Sequence, residues 1–274
     1  NSSPDQTELA DQSAEDRQES GWSHFRGDPG FSGYTPSAVP SPLSIIWRHK
    51  TGGEIRSTAA IDNGVVVFGS FDGYVYALDV DSGAERWRYD SGAPIEAPAL
   101  LGDDAVFIGS VDGTLFALEA ATGTTRWVYE TGGRIAGSAN IYSSVGAGIS
   151  TVVVGSYDGL LHAVDSARGK KAWTVETDYY INGAPAILGS TAVFGGCDAL
   201  LHIVSMKDGG ELGEVDTGAY IAGSPVYRGG HAYIGNYSDT MMKIDVGAKS
   251  VLWTYHTGDE GNAFYSSPAV SERF

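Results

Sequence analysis

The stretch that decides the fold is GGEIRSTAAIDNGVVVFGSFDGYVYALDVDSGAERWRYD at residues 52–90, and it returns as GAPIEAPALLGDDAVFIGSVDGTLFALEAATGTTRWVYE at residues 92–130. Each copy holds a lone Ile, an apolar run that ends in Gly, an Asp-Gly turn, an alternating run and a Trp. A period of about 40 residues indicates a repeat architecture. The repeat tryptophans are Trp47, Trp87, Trp127, Trp173 and Trp253, each four residues before a Thr or Ser.

Each unit reads as four short strands. The turn Asp72-Gly73 between two β-rich runs predicts a tight hairpin, because Gly supplies positive φ cheaply. The following run, YVYALD, has the mixture expected of a strand with two unlike faces. Four strands of about 5 to 6 residues with their turns fill one propeller blade of about 40 residues. The 38 glycines and the lack of helical periodicity exclude a helical solenoid. We therefore predict an all-β propeller whose tryptophans pack between neighbouring blades.

The register of the repeat divides the chain. Residues 1–20 carry six acids, one Arg and no aromatic residue, and are predicted to be a disordered acidic tether. Residues 21–42 form a lead-in segment, and the propeller is predicted over 43–274, with 43–50 as an orphan outer strand. Unit three carries a loop insertion, Ser143–Ser150, and the drifted turns of units four and five predict differently bent tops. The predicted complete blades are 51–90, 91–130, 131–176, 177–216 and 217–256, followed by a partial unit at 257–274.

These motifs resemble the pyrroloquinoline-quinone (PQQ) type β-propeller repeat. The shared pattern is Ile, Ser/Ala-Pro-Ala, an apolar run, Gly-Ser-x-Asp-Gly, x-x-Ala-Leu-Asp, x-x-Gly and x-x-Trp, over about residues 43–274. The lead-in GWSHFRGDPGFSGYTPSAVPSPLSIIW (21–47) is also similar to the entry segment of bacterial PQQ-like propellers. The family includes BamB-type outer-membrane assembly lipoproteins and quinoprotein dehydrogenases. Because seven or eight blades are usual in it, the resemblance implies a truncated ring.

The PQQ-dependent enzymes of the family imply an alternative function. Their sites hold calcium and the quinone near the ring axis, with an Asp base, a stacking Trp and usually adjacent cysteines. This chain has one cysteine, Cys197, and no Asp that can be matched to the family's base. We therefore expect no catalytic residue, no metal site and no cofactor, although PQQ and calcium stay the cofactors of the enzyme alternative.

The charge balance limits the partners. Lys and Arg number 17 and Asp and Glu number 34, so the net charge is −17. Such an excess of acid argues against nucleic acid and anionic membrane surfaces as partners. No apolar run reaches the ~18 residues that a membrane-spanning helix needs. A missing N-terminal anchor is the one expected route to a membrane.

The candidate partner-binding surface is the set of residues that flank the recurring Ile. These residues begin the innermost strands, so they are expected to ring the mouth of the central channel. Tyr provides a large contact area with a polar tip, which suits recognition; solvation of the rim is the alternative. The candidate rim residues are Glu54, Arg56, Glu96, Arg134, Tyr180, Asn182, Tyr220 and Tyr265.

Three other motifs are given structural interpretations. The stretch Asp79–Gly83 resembles half a calcium loop but lacks converging acids, which favours Asx-turn chemistry. His162 and His202 occupy the position of aromatic residues in earlier units, which indicates packing. The tripeptide Arg26-Gly27-Asp28 matches an adhesion motif, but it lies in the lead-in and is interpreted as a chance match.

Together these observations predict a non-catalytic, exported propeller that acts as a protein-interaction or assembly scaffold in the bacterial envelope. Its partners would be other envelope proteins or a small ligand at the channel mouth. The expected location is periplasmic or extracellular, with lipid anchoring to the outer membrane as an option. The alternatives are a PQQ- and calcium-dependent dehydrogenase fragment and an extracellular ligand-sensing domain.

Overall fold

The repeat units fold into separate antiparallel sheets. A computed structural model describes residues 21–38, 41–144, 150–258 and 262–271, so the predicted tether and the middle of the unit-three insertion lie outside the described residues. Within them, every regular element is a strand, and consecutive strands pair into five four-stranded sheets. The predicted all-β fold with five complete blades is confirmed.

Each blade takes four consecutive strands. Blades 1 and 2 comprise β1 (Ala60–Asp62), β2 (Val65–Gly69), β3 (Tyr74–Asp79), β4 (Glu85–Asp90), β5 (Leu100–Gly102), β6 (Ala105–Gly109), β7 (Thr114–Glu119) and β8 (Thr125–Glu130). Blades 3 and 4 comprise β9 (Asn140–Ser143), β10 (Ser150–Gly155), β11 (Leu160–Asp165), β12 (Lys171–Glu176), β13 (Ala186–Leu188), β14 (Thr191–Gly195), β15 (Leu200–Ser205) and β16 (Glu211–Asp216). Blade 5 comprises β17 (Val226–Arg228), β18 (His231–Gly235), β19 (Met241–Asp245) and β20 (Ser250–Tyr255).

The turn between the second and third strands of a blade requires a left-handed residue. Gly73 has φ of 87° at this position in blade 1. Ala199 and Asp239 stand at the equivalent positions of blades 4 and 5 with φ of 68° and 53°. Ala199 and Asp239 thus adopt the left-handed conformation that Gly adopts at lower cost, and the predicted difference in bend stays a prediction.

The first contact between blades joins the recurring Gly and Ile. A Cβ atom on Gly69 would lie 2.0 Å from Cγ2 of Ile95, which precedes the inner strand of the next blade. Gly109 meets Ile135 in the same way, at 2.2 Å. The apolar run must therefore end in Gly, since any side chain would push the next blade away. Ile95 and Ile135 are fully buried as a result.

The second contact joins the recurring Trp to the next blade. The Trp127 indole lies against Gly169, and its Nε1 donates a hydrogen bond of 2.8 Å to the carbonyl oxygen of Ser166. Trp87 lies against Gly123 in the same manner. Packing of tryptophans between blades is confirmed for these positions. Trp253 lies on the last blade with 43% of its surface exposed.

Residues 43–50 differ from the predicted outer strand. They form no strand pairing among the described residues, so this prediction is wrong. Their attachment to blade 1 runs through Trp47, which lies on Gly83 and donates to the carbonyl oxygen of Val80 at 2.9 Å. The neighbouring side chains Ile45 and Ile46 are exposed. In this segment Trp47 therefore packs as a repeat Trp does, although the segment does not pair with a sheet.

The lead-in segment crosses the middle of the propeller. Trp22 forms a β-bridge with Ile61 in the inner strand of blade 1. Further along, the carbonyl oxygens of Ser23, Pro29 and Gly30 accept hydrogen bonds from the inner strands of blades 2, 4 and 5, and that of Pro29 also accepts from the Asn140 side chain in blade 3. A segment that contacts every inner strand must cross the space that those strands surround. Phe31 anchors it, fully buried in the core of blades 4 and 5.

The antiparallel order gives the propeller two distinct faces. The inner strands start at one face, and the turn between second and third strands and the connection between blades lie at that same face. The two other turns of each blade lie at the opposite face. The flanks of the recurring Ile therefore share one face, which we call the collar face.

Candidate functional site

A backbone hydrogen bond places two side chains of each blade next to each other on the collar face. The amide of the variable residue in Gly-Ser-x-Asp-Gly donates to the carbonyl oxygen of the residue before the recurring Ile. Tyr157 donates to Arg134 at 2.9 Å, and Tyr237 donates to Tyr220 at 2.9 Å. The collar therefore contains the variable turn residue as well as the Ile flanks.

Blades 1 and 2 and the start of blade 3 form a charged sector, which we define as Glu54, Arg56, Glu96 and Arg134. Arg56 is paired with Glu54 at 2.7 Å, and Nε of Arg134 donates to Glu96 at 2.5 Å across the boundary between blades. The hydrogen bond that Arg134 donates to the Glu96 carboxylate raises the pKa of Arg134. The four charges are thus neutralised within the sector.

The remainder of the collar is aromatic. Tyr157 and Tyr180 are stacked with ring centroids 5.0 Å apart, and Tyr179 meets Tyr180 edge to face at 6.1 Å. Tyr179 then contacts Tyr220 at 6.4 Å, which continues the row into blade 5. Tyr237 meets Tyr220 at 6.5 Å and Tyr265 at 5.1 Å, both edge to face. We call this continuous row of six side chains the tyrosine arc: Tyr157, Tyr179, Tyr180, Tyr220, Tyr237 and Tyr265.

The tyrosine arc is open to solvent. Five of its side chains are between 42% and 66% exposed, and only Tyr157 is half-buried. Burial raises the pKa of the Tyr157 hydroxyl. The Arg134 guanidinium lies over the Tyr157 ring, 5.5 Å from its centroid, and so joins the charged sector to the arc. A large aromatic surface exposed in one continuous row makes the tyrosine arc the candidate interaction surface of the collar face.

The turn that carries Tyr157 is held by a half-buried carboxylate, that of Asp158. Asp158 accepts hydrogen bonds from the amides of Gly132 and Leu160, at 2.7 and 3.0 Å, and from Nε2 of His162 at 2.9 Å. Burial raises the pKa of Asp158, but these hydrogen bonds outweigh it and hold the pKa below its ordinary value. The Tyr129 hydroxyl contacts the other ring nitrogen of His162 at 3.0 Å. This series of hydrogen bonds fixes the Asp-Gly turn that carries Tyr157.

The structure places the predicted rim residues in two groups. Glu54, Arg56, Glu96 and Arg134 form the charged sector, while Tyr180, Tyr220 and Tyr265 belong to the tyrosine arc. Asn182 is half-buried, and its amide donates to Sγ of Cys197 at 2.9 Å.

Sequence reasoning missed three members of the arc, Tyr157, Tyr179 and Tyr237. Two of them stand at the variable position of Gly-Ser-x-Asp-Gly or its drifted copy, and this repeated position was the signal that could have identified them. Tyr179 lies one residue before Tyr180 and has no such signal.

The other motifs have structural partners. The Asp79 carboxylate accepts from the amides of Asp81 and Ser82, as an Asx turn does. His202 is bonded to Asp198 at 2.7 Å and stacks on Phe194. No group of three or more potential ligands close enough to hold a metal occurs among the described residues. No helix in the same part of the chain is long and apolar enough to cross a membrane.

The adhesion-like tripeptide lies within the lead-in that crosses the propeller. Arg26 is half-buried and donates to the carbonyl oxygens of Phe31 and Pro268, while Asp28 accepts from Ser32. Burial lowers the pKa of Arg26. Both side chains therefore serve the fold of the lead-in.

The opposite face carries a groove of about 1090 Å³ beside the lead-in. It runs along the turns of blades 3 to 5, and its walls include Pro29, Tyr34, Tyr142 and Leu188. Lys207 and Arg228 give it basic side chains. The predicted rim residues do not line it.

Comparison with known proteins identifies the class. Residues 44–179 match the family model described as outer membrane protein assembly factor BamB. The crystal structure of BamB from Moraxella catarrhalis superposes with a TM-score of 0.68 at 23% identity, covering 78% of this chain and 68% of that one. The computationally designed protein Ika8 gives 0.65 at 18% identity, covering 79% of this chain and 65% of that one. No curated protein sequence matches significantly.

The class defined by this fold is the β-propeller of four-stranded blades. Within it, the chain resembles the PQQ-like repeat family of the BamB type, whose family model matches residues 44–179. It spans about two thirds of the length of each of the two solved structures. At these identities the structural likeness shows the fold alone.

Proposed function

We propose that this chain is a non-catalytic, exported β-propeller that acts as a protein-interaction or assembly scaffold in the bacterial envelope. The family description supports the general role, since it names an outer-membrane assembly factor. The location that fits this role is the periplasm or the cell exterior. The partners would be other envelope proteins.

The observation that carries the proposal is the tyrosine arc. Six aromatic side chains from three blades and the partial sixth unit lie in one uninterrupted row, and five of them are largely exposed. Interfaces between proteins are enriched in Tyr, which gives a large contact area at a small cost in side-chain entropy. The recurring Ile, Gly and Trp are used for packing between blades. Packing of this kind does not explain why the arc side chains are exposed.

Site-specific photocrosslinking in the producing organism tests the proposal. The photoreactive residue p-benzoylphenylalanine replaces Tyr220 or Tyr265 in the arc, and Tyr255 of β20, which is 59% exposed, provides the matched control. We expect both arc positions to crosslink to the same envelope protein and Tyr255 to give no such product. Crosslinks of equal yield from Tyr255, or none from the arc, would contradict the proposal.

The enzyme alternative is tested by a thermal melt with PQQ and calcium. A ligand that binds only the folded protein stabilises it by about 2.7 kcal/mol at a hundredfold excess over Kd. We expect no shift in Tm. A clear upward shift would favour the dehydrogenase interpretation over the scaffold.

A further inference from the structure

The groove on the face opposite the collar opens where the lead-in loses its direct contact with an inner strand. In the other blades the amide of the second inner-strand residue donates to a lead-in carbonyl, as Ile187 does to Pro29 at 2.7 Å. In blade 3 the equivalent amide, that of Ile141, donates instead to Oδ1 of its neighbour Asn140 at 2.9 Å. The groove lies at this place, because its lining includes Ile141 on one side and Pro29 on the other.

Asn140 is the residue that separates the lead-in from blade 3. The equivalent inner-strand positions of the other four blades hold apolar, fully buried residues: Ala60, Leu100, Ala186 and Val226. Asn140 is equally buried, and its side-chain amide donates to the carbonyl oxygens of Pro29 and Pro185, both at 2.8 Å. A buried amide is stable only when its polar atoms are hydrogen-bonded, as they are here. Blade 3 therefore carries a polar spacer at a position that packing fills with an apolar side chain elsewhere, and the spacer leaves the groove open.

The walls of the groove are mainly apolar. Ile187 and Tyr227 are buried in them, with 5% and 8% of their surfaces exposed, while Leu188 is 42% exposed. Tyr142 and Pro29 add an aromatic ring and a pyrrolidine ring. The volume of about 1090 Å³ is close to the upper end of the range for small-molecule sites, which combine apolar walls with a few polar groups. The groove therefore has the room and the lining for a molecule with an apolar ring body.

The charged side chains of the groove favour an anion. Lys207 is exposed on the turn after the third strand of blade 4, and Arg228 ends the inner strand of blade 5. Asp28 is the one acid among the described residues that line the groove, and it already accepts hydrogen bonds from the amide and the hydroxyl of Ser32. Bases thus outnumber acids two to one in the lining, although the whole chain has 34 acids and 17 bases. An anionic group is attracted here, whereas the net negative charge of the chain disfavours it elsewhere.

We propose that this groove binds a small amphipathic anion, a molecule with an apolar ring body and one carboxylate, sulfonate or phosphate group. The ring body lies against Ile187, Leu188 and Tyr227, and the anionic group binds Lys207 at the rim. A neutral molecule of the same shape gains no charge-assisted hydrogen bond from Lys207 and therefore binds more weakly. The site lies on the face opposite the tyrosine arc, so this proposal does not rest on the scaffold function.

Fluorescence titration of the full chain with two matched probes tests this proposal. The probes are 8-anilinonaphthalene-1-sulfonate and N-phenyl-1-naphthylamine, which share the ring body and differ in the sulfonate. We expect one saturable site per chain for the sulfonate probe, and a Kd about tenfold or more higher for the neutral probe. Lys207→Glu should raise the Kd of the sulfonate probe about tenfold or more and leave that of the neutral probe within about twofold.

Two further variants control for net charge and for loss of the fold. Lys170→Glu makes the same charge change on the equivalent turn of blade 3, outside the groove lining, and should leave both Kd values within about twofold. Leu188→Ser changes an exposed wall residue, so it should weaken both probes severalfold while Tm stays unchanged.

The outcomes that would overturn the proposal are distinct from those that concern the arc. They are absence of binding, equal affinity for the two probes, equal weakening by Lys207→Glu and Lys170→Glu, or sulfonate binding that neither Lys207→Glu nor Leu188→Ser changes. Crosslinking at the tyrosine arc is independent of each of them, so the scaffold proposal and this one fail or stand separately.

Discussion

The collar differs from the contacts between neighbouring blades, which we call seams. Both are built from adjacent positions of one repeat, yet they behave in opposite ways. At the seams between blades 1 to 4, the same Ile, Gly and Trp recur and meet the same partners, whereas Gly213 stands at the Trp position of blade 4. At the collar, the residue before the recurring Ile is Glu54, Pro94, Arg134, Tyr180 and Tyr220 in successive units. The backbone hydrogen bond that positions this residue is the same throughout. The repeat thus fixes where a collar side chain lies and leaves its chemistry free.

Removal of a seam tryptophan should have the largest effect on stability. Trp127→Ala removes a buried indole that packs on Gly169 and leaves a cavity between blades 2 and 3. Large-to-small changes of this kind cost about 3 to 5 kcal/mol. Chemical denaturation should show this loss. The control Trp253→Ala, at the exposed flank of the last blade, should cost much less; an equal loss would mean that the seam packing is not the source of stability.

Adding a methyl group at the contact between two blades should have the next largest effect on stability. Gly109→Ala places a Cβ 2.2 Å from the Ile135 side chain, so blades 2 and 3 must separate. Overpacking costs about 1 to 3 kcal/mol. In the same blade, a Cβ on Gly102 would meet only Ile141, at 3.6 Å. Gly102→Ala should therefore be nearly neutral in a urea titration, and a ranking in the reverse order would contradict the seam geometry.

The carboxylate beneath the arc should make stability depend on acid pH. The pKa of Asp158 lies below its ordinary value in the folded protein, so the ionised form is stabilised by folding. Its contribution is complete above the unfolded pKa of about 4 and is lost as the pH falls through the folded value.

The free energy of unfolding, measured from pH 6 to pH 3, should therefore fall less steeply in Asp158→Asn than in the original protein. At neutral pH this variant should lose about 1 to 3 kcal/mol, because a charged acceptor with two oxygens is replaced by a neutral amide with one. The exposed Asp81→Asn provides a control and should keep the original profile. An unchanged profile in Asp158→Asn would show that this turn does not depend on the ionised carboxylate.

Truncation of an arc tyrosine should have the smallest effect on stability. The Tyr180 side chain is 49% exposed and contacts only other exposed or half-buried rings. Tyr180→Ala should shift the free energy of unfolding by no more than about 0.5 kcal/mol, as is usual for surface positions. The variant should nevertheless lose partner crosslinking from the arc. A loss of stability similar to that of Trp127→Ala would mean that the arc belongs to the core.

The sequence alone predicts those features of the fold and of the collar that follow from the register of the repeat. The five blades, the packing of the tryptophans between them and the collar positions of Tyr180, Tyr220 and Tyr265 all follow from register alone. Tyr157 and Tyr237 were missed because their place beside the Ile flank depends on a hydrogen bond between segments more than fifteen residues apart. Periodicity within one segment cannot reveal such a contact.

The path of the lead-in could not be predicted for a related reason. Residues 21–38 have no repeat, and their position is set by contacts with five different blades. The fully buried Phe31 has no periodic neighbour that would mark it as core. Residues 43–50 show the opposite case, in which the repeat is present but the predicted strand is not. Trp47 follows the register and packs as predicted, although no strand forms around it.

Footprinting of the tyrosines tests most directly whether the arc is the contact surface. Hydroxyl-radical labelling followed by mass spectrometry compares the purified protein with the protein in its native envelope fraction. We predict that labelling falls severalfold in the native fraction at Tyr179, Tyr180, Tyr220, Tyr237 and Tyr265. Tyr34 on the opposite face and Tyr255 on β20 should be labelled equally in both. Unchanged labelling of the arc, or protection confined to Tyr34 and its groove, would contradict the account.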